Sequence, residues 1–139
     1  MMPLLLIHAA ATWALVGLIW TIQCVHYPLF ADVGRDEFAR YHHRHVQRIT
    51  WLVGPVMILE AGTALSLLWH GERSFPWLLS LAALVLVWGI TAIVQVPLHR
   101  RLSRGTDPEL IRRLVRGNLW RSIAWTVRGV CLIFVLLSS

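Results

Sequence analysis

Gln23-Cys24-Val25-His26-Tyr27-Pro28-Leu29 closes one long hydrophobic stretch, and Gln95-Val96-Pro97-Leu98-His99 closes another. The correspondence continues downstream at a nearly constant offset. Gly34-Arg35-Asp36-Glu37-Phe38 is matched by Gly105-Thr106-Asp107-Pro108-Glu109-Leu110, and Ile49-Thr50-Trp51-Leu52-Val53 by Ile123-Ala124-Trp125-Thr126-Val127. The spacing predicts a duplicated helical hairpin, with residues 1–70 as one copy and 71–139 as the other. Such a repeat sets like residues around a shared axis, and here these include histidines at the ends of apolar segments.

The composition decides the solvent. The chain is 57% hydrophobic and 14% charged, with a mean hydropathy of +0.62, outside the range of soluble globular domains. Residues 4–25, 49–69, 76–98 and 119–137 are each long enough for a hydrocarbon core that needs about 20 apolar residues. The Met1 end lacks a basic segment and the first apolar stretch is too long for a cleavable signal, so it is read as a retained span. The expected fold is all-α: one integral membrane domain, a four-helix bundle built from two duplicated hairpins with short amphipathic cytoplasmic helices. Each copy holds an even number of spans, so the copies enter the membrane in the same direction, about an axis along its normal.

All 13 basic residues are arginine, and they concentrate between spans one and two and between spans three and four, against a lone Arg73 in the middle connection. By the positive-inside rule these two connections are cytoplasmic and both termini lie outside. The pI near 11.0 then reflects topology and anionic headgroups, and no nucleic-acid partner is expected. Cys24 and Cys131 form no CxxC pair and read as small apolar residues, with a thiolate ligand as the lesser alternative.

The cytoplasmic connections carry helical signals. Asp107 followed by Pro108 is a helix start, and Leu110, Ile111, Leu114 and Val115 form an apolar face up to Gly117, predicting a short interfacial helix. Asp36 takes the corresponding cap position. Phe38, Tyr41, His42, His45 and Ile49 recur at helical spacing, so that segment is expected to run into span two with His42 and His45 on one face.

Four histidines converge on the cytoplasmic end in this topology. His26, His42, His45 and His99 are the candidate metal ligands, since imidazole suits iron and copper. The competing reading is interfacial: a half-polar ring is comfortable at a headgroup and satisfies the last carbonyls of a helix. Gln23, Gln95, Asn118 and Arg121 are the candidate cofactor-binding residues, with Gln23 and Gln95 placed to orient the rings and Arg121 to hold an anionic group. Glu60 and Arg128 lie at matched depths, about 16 and 14 Å in at about 1.5 Å per residue, and isolated charge there is costly. They are expected to pair; the alternative is that one binds substrate, a propionate or a proton. Asn118, Arg121, Trp125 and Arg128 fall on one stripe facing the bundle. Candidate catalytic residues are Glu60, Arg121, Arg128 and Tyr41. Trp69, Trp77 and Trp120 read as an interfacial belt, Trp13, Trp51, Trp88 and Trp125 as core, and His8 and His70 as outer-face residues outside any inner site. No phosphate loop, zincin motif or serine elbow is present.

His26-Tyr27-Pro28, Tyr41-His42-x-x-His45, Pro55 with Glu60, Gln95-Val96-Pro97-Leu98-His99 and Asn118-x-x-Arg121-x-x-x-Trp125 together resemble small bacterial four-span membrane proteins similar to the anthrone oxygenase-like group. The resemblance covers nearly the whole chain and implies oxygenation of a reduced polycyclic aromatic in the inner membrane. A second likeness, through His8, Trp13, Gly17-Leu18 and Tyr27-Pro28, is to four-helix haem-containing protoporphyrinogen oxidases and implies haem b; the later spans depart from that pattern. The expected function is therefore a small membrane oxidoreductase or oxygenase using histidine-bound iron, copper or haem on a lipophilic or aromatic substrate. The alternative is a non-catalytic assembly or interaction protein, homo-oligomeric or not, whose polar residues only knit the bundle.

Overall fold

In the computed structural model, which describes residues 1–138, the chain is all-helical, with no strand among the described residues. Helix α1 spans Met2–Thr21, α2 Arg35–Trp69, α3 Phe75–Ile90, α4 Val96–Leu102 and α5 Pro108–Leu137. Four helical segments, Met2–Asp32, Arg35–Trp69, Phe75–Leu102 and Pro108–Leu137, are long and apolar enough to cross a membrane.

Two wide π turns, Ile22–His26 after α1 and Thr91–Gln95 between α3 and α4, share one cause. Pro28 and Pro97 lack the N–H that would bond the carbonyl four residues back, and their rings crowd it. The helix widens there, so that Tyr27 N–H reaches the Ile22 carbonyl and Val96 N–H the Thr91 carbonyl, each five residues back. Gln23, His26 and Gln95 sit in these widened turns. Pro55 within α2 removes one more backbone donor.

Helix α1 packs against α2 and α5, while α5 packs against α3 and α4. Half of the apolar window of α5 is buried (50%) and 44% of that of α1, against 28% for α2 and for α3, so α1 and α5 are the inner pair. The interior is layered. Leu5, Ala9, Ala64, Leu67, Trp77 and Leu132 form an apolar cluster near the chain termini, and Leu15, Ile19, Phe30, Phe38, Met57 and Trp125 contribute to another toward the arginine-rich end. Between them lies a buried polar layer of His8, Thr12, Glu60, Thr63, Ser80 and Arg128. Helix α2 ends on Gly71, whose φ of +92° suits glycine, with Glu72 N–H bonded to the Leu67 carbonyl.

Several expectations change. The segment after Asp107 is not a separate helix ending at Gly117. It runs straight into the fourth long helix, and Gly117 within that helix leaves room for Gln95: a Cβ there would come 2.7 Å from Gln95 Nε2. Asp107 does cap α5, accepting from Glu109 N–H (2.9 Å) and Leu110 N–H (3.2 Å). Asp36 caps nothing; Gly34 occupies that position and Asp36 lies in the first turn of α2. Trp77, in the first turn of α3, is fully buried, and Trp51 is 77% exposed rather than core, while its counterpart Trp125 is fully buried. Trp13 and Trp88 are each 41% exposed.

Candidate functional site

The deep polar layer closes around its two charges. Arg128 donates from Nε (3.1 Å) and Nη2 (2.9 Å) to Glu60 Oε1, and from Nη1 to the Ser80 carbonyl (2.6 Å). Thr12 donates to Glu60 Oε1 at 2.7 Å and Trp125 Nε1 to Glu60 Oε2 at 3.2 Å. His8 lies 3.4 Å from Arg128 Nη2 through Nε2 and 2.8 Å from Thr63 Oγ1 through Nδ1. The layer thus ties α1, α2, α3 and α5 together. The expected Glu60–Arg128 pair is present, with both side chains wholly buried. His8, read as an outer-face residue, belongs to it: the register of α1 turns position 8 inward onto Thr63. Neither Glu60 nor Arg128 lines the cleft described below, and their polar atoms are taken up by one another and by these neighbours.

The second polar cluster stands at the arginine-rich end, built on Phe30. This ring comes from the short turn Pro28–Asp32, is fully buried, and meets Phe38, Tyr41, His42 and His45 edge-on at 5.0 to 6.0 Å. Around it the four candidate histidines do come together. His42 and His99 are bonded, Nε2 to Nδ1, at 3.0 Å, and the His26 and His45 rings are 5.7 Å apart. His99 Nε2 is bonded to the Tyr27 hydroxyl at 2.9 Å. Tyr27, which the sequence offers within the His26-Tyr27-Pro28 motif but without a role of its own, is thus the residue that orients His99.

This Tyr27–His99–His42 chain can run in two directions. If Tyr27 donates to His99, then His99 donates to His42; if His42 donates, His99 passes a proton toward the Tyr27 oxygen and His42 Nδ1 holds a free lone pair. His42 Nδ1 and His45 Nε2 are buried with no hydrogen-bond partner. Among the described residues no three histidine, cysteine or acidic side chains are already gathered around a common point. Both cysteines are free thiols, Cys24 exposed and Cys131 buried.

The amides sit elsewhere than expected. Gln23 accepts from Asn118 Nδ2 at 2.9 Å, Asn118 accepts from Arg121 Nη1 at 3.2 Å, and Gln95 donates to the Leu114 carbonyl at 3.3 Å. They hold α5 against the two widened turns and make no hydrogen bond to the histidine rings. Tyr41, a catalytic candidate, is 41% exposed and packs edge-on against Phe30.

A cleft of about 480 Å³ opens beside this cluster. It exists because α2 leans on α1 and α3 on α5, leaving a gap between α2 and the α3–α4 side. Val46, Ile49, Val53 and Met57 of α2 form one wall, Thr91 and Val96 the other, and Leu15, Ile19 and Trp125 the back. His42, Gln95, His99, Tyr27 and Arg121 are among the polar groups along it. No protein family, curated protein or solved structure matches the chain.

Proposed function

We propose that the chain is a multi-pass protein of the bacterial inner membrane that takes a lipophilic or aromatic substrate from the bilayer and oxidises or oxygenates it at the histidine cluster. The observation that carries this reading is the apolar cleft lined at one end by His42, His99, Tyr27 and Arg121. A gap between two helices of an apolar bundle is reachable sideways by a molecule dissolved in lipid, and the histidines and the phenol at its end are groups able to move protons. The arginine distribution supports both termini outside, with the cluster at the cytoplasmic end. Duplication of a hairpin accounts for the two proline-linked π turns.

The donor set suits iron, copper or haem b. His42 and His45 would hold it through the ring nitrogens that now lack partners, with His26 and His99 adjoining them. When bound, such a group supplies electron transfer or dioxygen activation. The chain's own residues supply the rest: the cleft walls align the substrate and exclude water, and the Tyr27–His99–His42 chain accepts or returns its proton. Glu60 and Arg128, bonded to each other and away from the cleft, serve the fold.

The test is protein purified from cells supplied with iron, copper and haem, examined by visible absorption and metal analysis. Close to one cofactor per chain is expected, with His42→Ala and His45→Ala each reducing occupancy by about tenfold or more, consistent with losing one ligand. Wild-type protein containing neither metal nor haem ends the redox reading and leaves a non-catalytic binding or assembly protein.

A further inference from the structure

Arg121 is the unexplained charge of this molecule. Its side chain is buried, with 6% of the residue exposed, and it lines the cleft. Its Nη1 donates to Asn118 Oδ1, its guanidinium carbon stands 5.3 Å from the centroid of the Trp125 ring, and its Nε is buried with no hydrogen-bond partner. It also adjoins the Tyr27 phenol. No carboxylate pairs with it among the described residues: Glu60 is taken by Arg128, Glu37 by Arg40, and Glu109 by Arg112 and Arg113. A guanidinium does not shed its proton in a protein, and burying one without a counter-ion is costly. The same helix shows the ordinary solution seven residues further on, where Arg128 has an acid of its own. Arg100, at the cleft surface, adds charge of the same sign.

We infer that the cleft takes a lipophilic monoanion, a carboxylate-headed amphiphile, with its head on Arg121 and its apolar body along Leu15, Ile19, Val53 and Met57. This rests on the reading of the cleft as a lipophile site and adds the ligand's charge. One buried guanidinium without an anionic partner calls for one negative charge, and a carboxylate matches its planar fork of donors. The apolar walls supply the rest of the affinity by burying the body of the ligand.

The experiment uses the full chain in lipid nanodiscs and a pair of probes: a long-chain fatty acid carrying a mid-chain diazirine, and its methyl ester, at a pH where the acid is ionised. After illumination, adducts are located by peptide mass spectrometry. The expected result is labelling of the Val53 to Met57 wall by the acid at least tenfold above the ester. Arg121→Gln should abolish that preference and Arg121→Lys should keep part of it. Equal labelling of the wall by acid and ester overturns the anion assignment while leaving the lipophile cleft in place. Failure of both probes to label the wall overturns the cleft reading and this inference together. If Arg121→Gln does not fold, the acid-to-ester ratio on the wild type decides alone.

Discussion

Trp125 donates its indole N–H to Glu60 Oε2 at 3.2 Å while the face of the same ring carries the Arg121 guanidinium, 5.3 Å from its centroid. One side chain therefore joins the closed charge layer to the open cleft. Whatever fixes Glu60 also fixes the ring on which Arg121 rests, so the layer that looks purely structural sets the position of the cleft's one buried unpaired cation.

Removing half of the buried pair should be expensive. Glu60→Gln leaves Arg128 charged at a wholly buried position, and breaking such a pair costs about 3 to 5 kcal/mol. The double change Glu60→Gln with Arg128→Gln should recover a large part of that loss. Thermal unfolding in detergent micelles measures it, and a double variant that loses the sum of the two single changes would show that the residues do not interact.

Two glycines give a contrast within one bundle. A Cβ on Gly129 would come 3.0 Å from two ring atoms of Trp13, so that the indole would have to shift, whereas one on Gly62 would meet nothing within 4 Å. Gly129→Ala should destabilise by about 1 to 3 kcal/mol through overpacking. Gly62→Ala should be neutral or stabilising by about 1 kcal/mol at most, from helix propensity. Similar melting temperatures for the two variants would contradict the packing of α1 on α5.

Much of the bundle can be read from the chain alone, for identifiable reasons. The four apolar segments follow from length and composition, and the Glu60–Arg128 pair from matched depth and the cost of lone charge. The histidine cluster follows from two helix ends and a helical i,i+3 spacing. What the chain does not display is which helices are inner. Trp51 and Trp125 have closely similar flanks, yet one is 77% exposed and the other fully buried, because α2 is an outer helix and α5 an inner one. The cleft is hidden for the same reason. Its α2 wall continues the histidine stripe as Val46, Ile49, Val53 and Met57, a legible spacing, but only the packing of helices decides whether a neighbour covers it. The inward direction of His8 is hidden too, because depth along a helix carries no information on direction around it.

Orientation can be tested on the two arginine-poor and arginine-rich sides. In a background with Cys24 and Cys131 replaced by alanine, Arg73→Cys in the exposed α2–α3 turn should react with an impermeant maleimide added to intact cells. Ser103→Cys, exposed beyond α4, should react only after permeabilisation. The reverse pattern would put the histidine cluster on the outer face and remove the positive-inside argument.

The double role of Trp125 makes the sharpest prediction, because its two functions can be separated. Trp125→Phe keeps an aromatic face for Arg121 but deletes the donor to Glu60 Oε2, leaving a buried carboxylate oxygen one hydrogen bond short. This should cost about 1 to 3 kcal/mol in unfolding free energy. The preference of the cleft for an acidic over an ester probe should survive, since the guanidinium keeps its ring. Trp125→Leu deletes both contacts, so it should destabilise further, by about 0.5 to 2 kcal/mol for the lost cation–π contact, and should also weaken the acid preference as Arg121 loses its support. Were Trp125→Phe to leave stability untouched while erasing the acid preference, the indole N–H would belong to the ligand site rather than to Glu60, and the separation of the two polar clusters would fail.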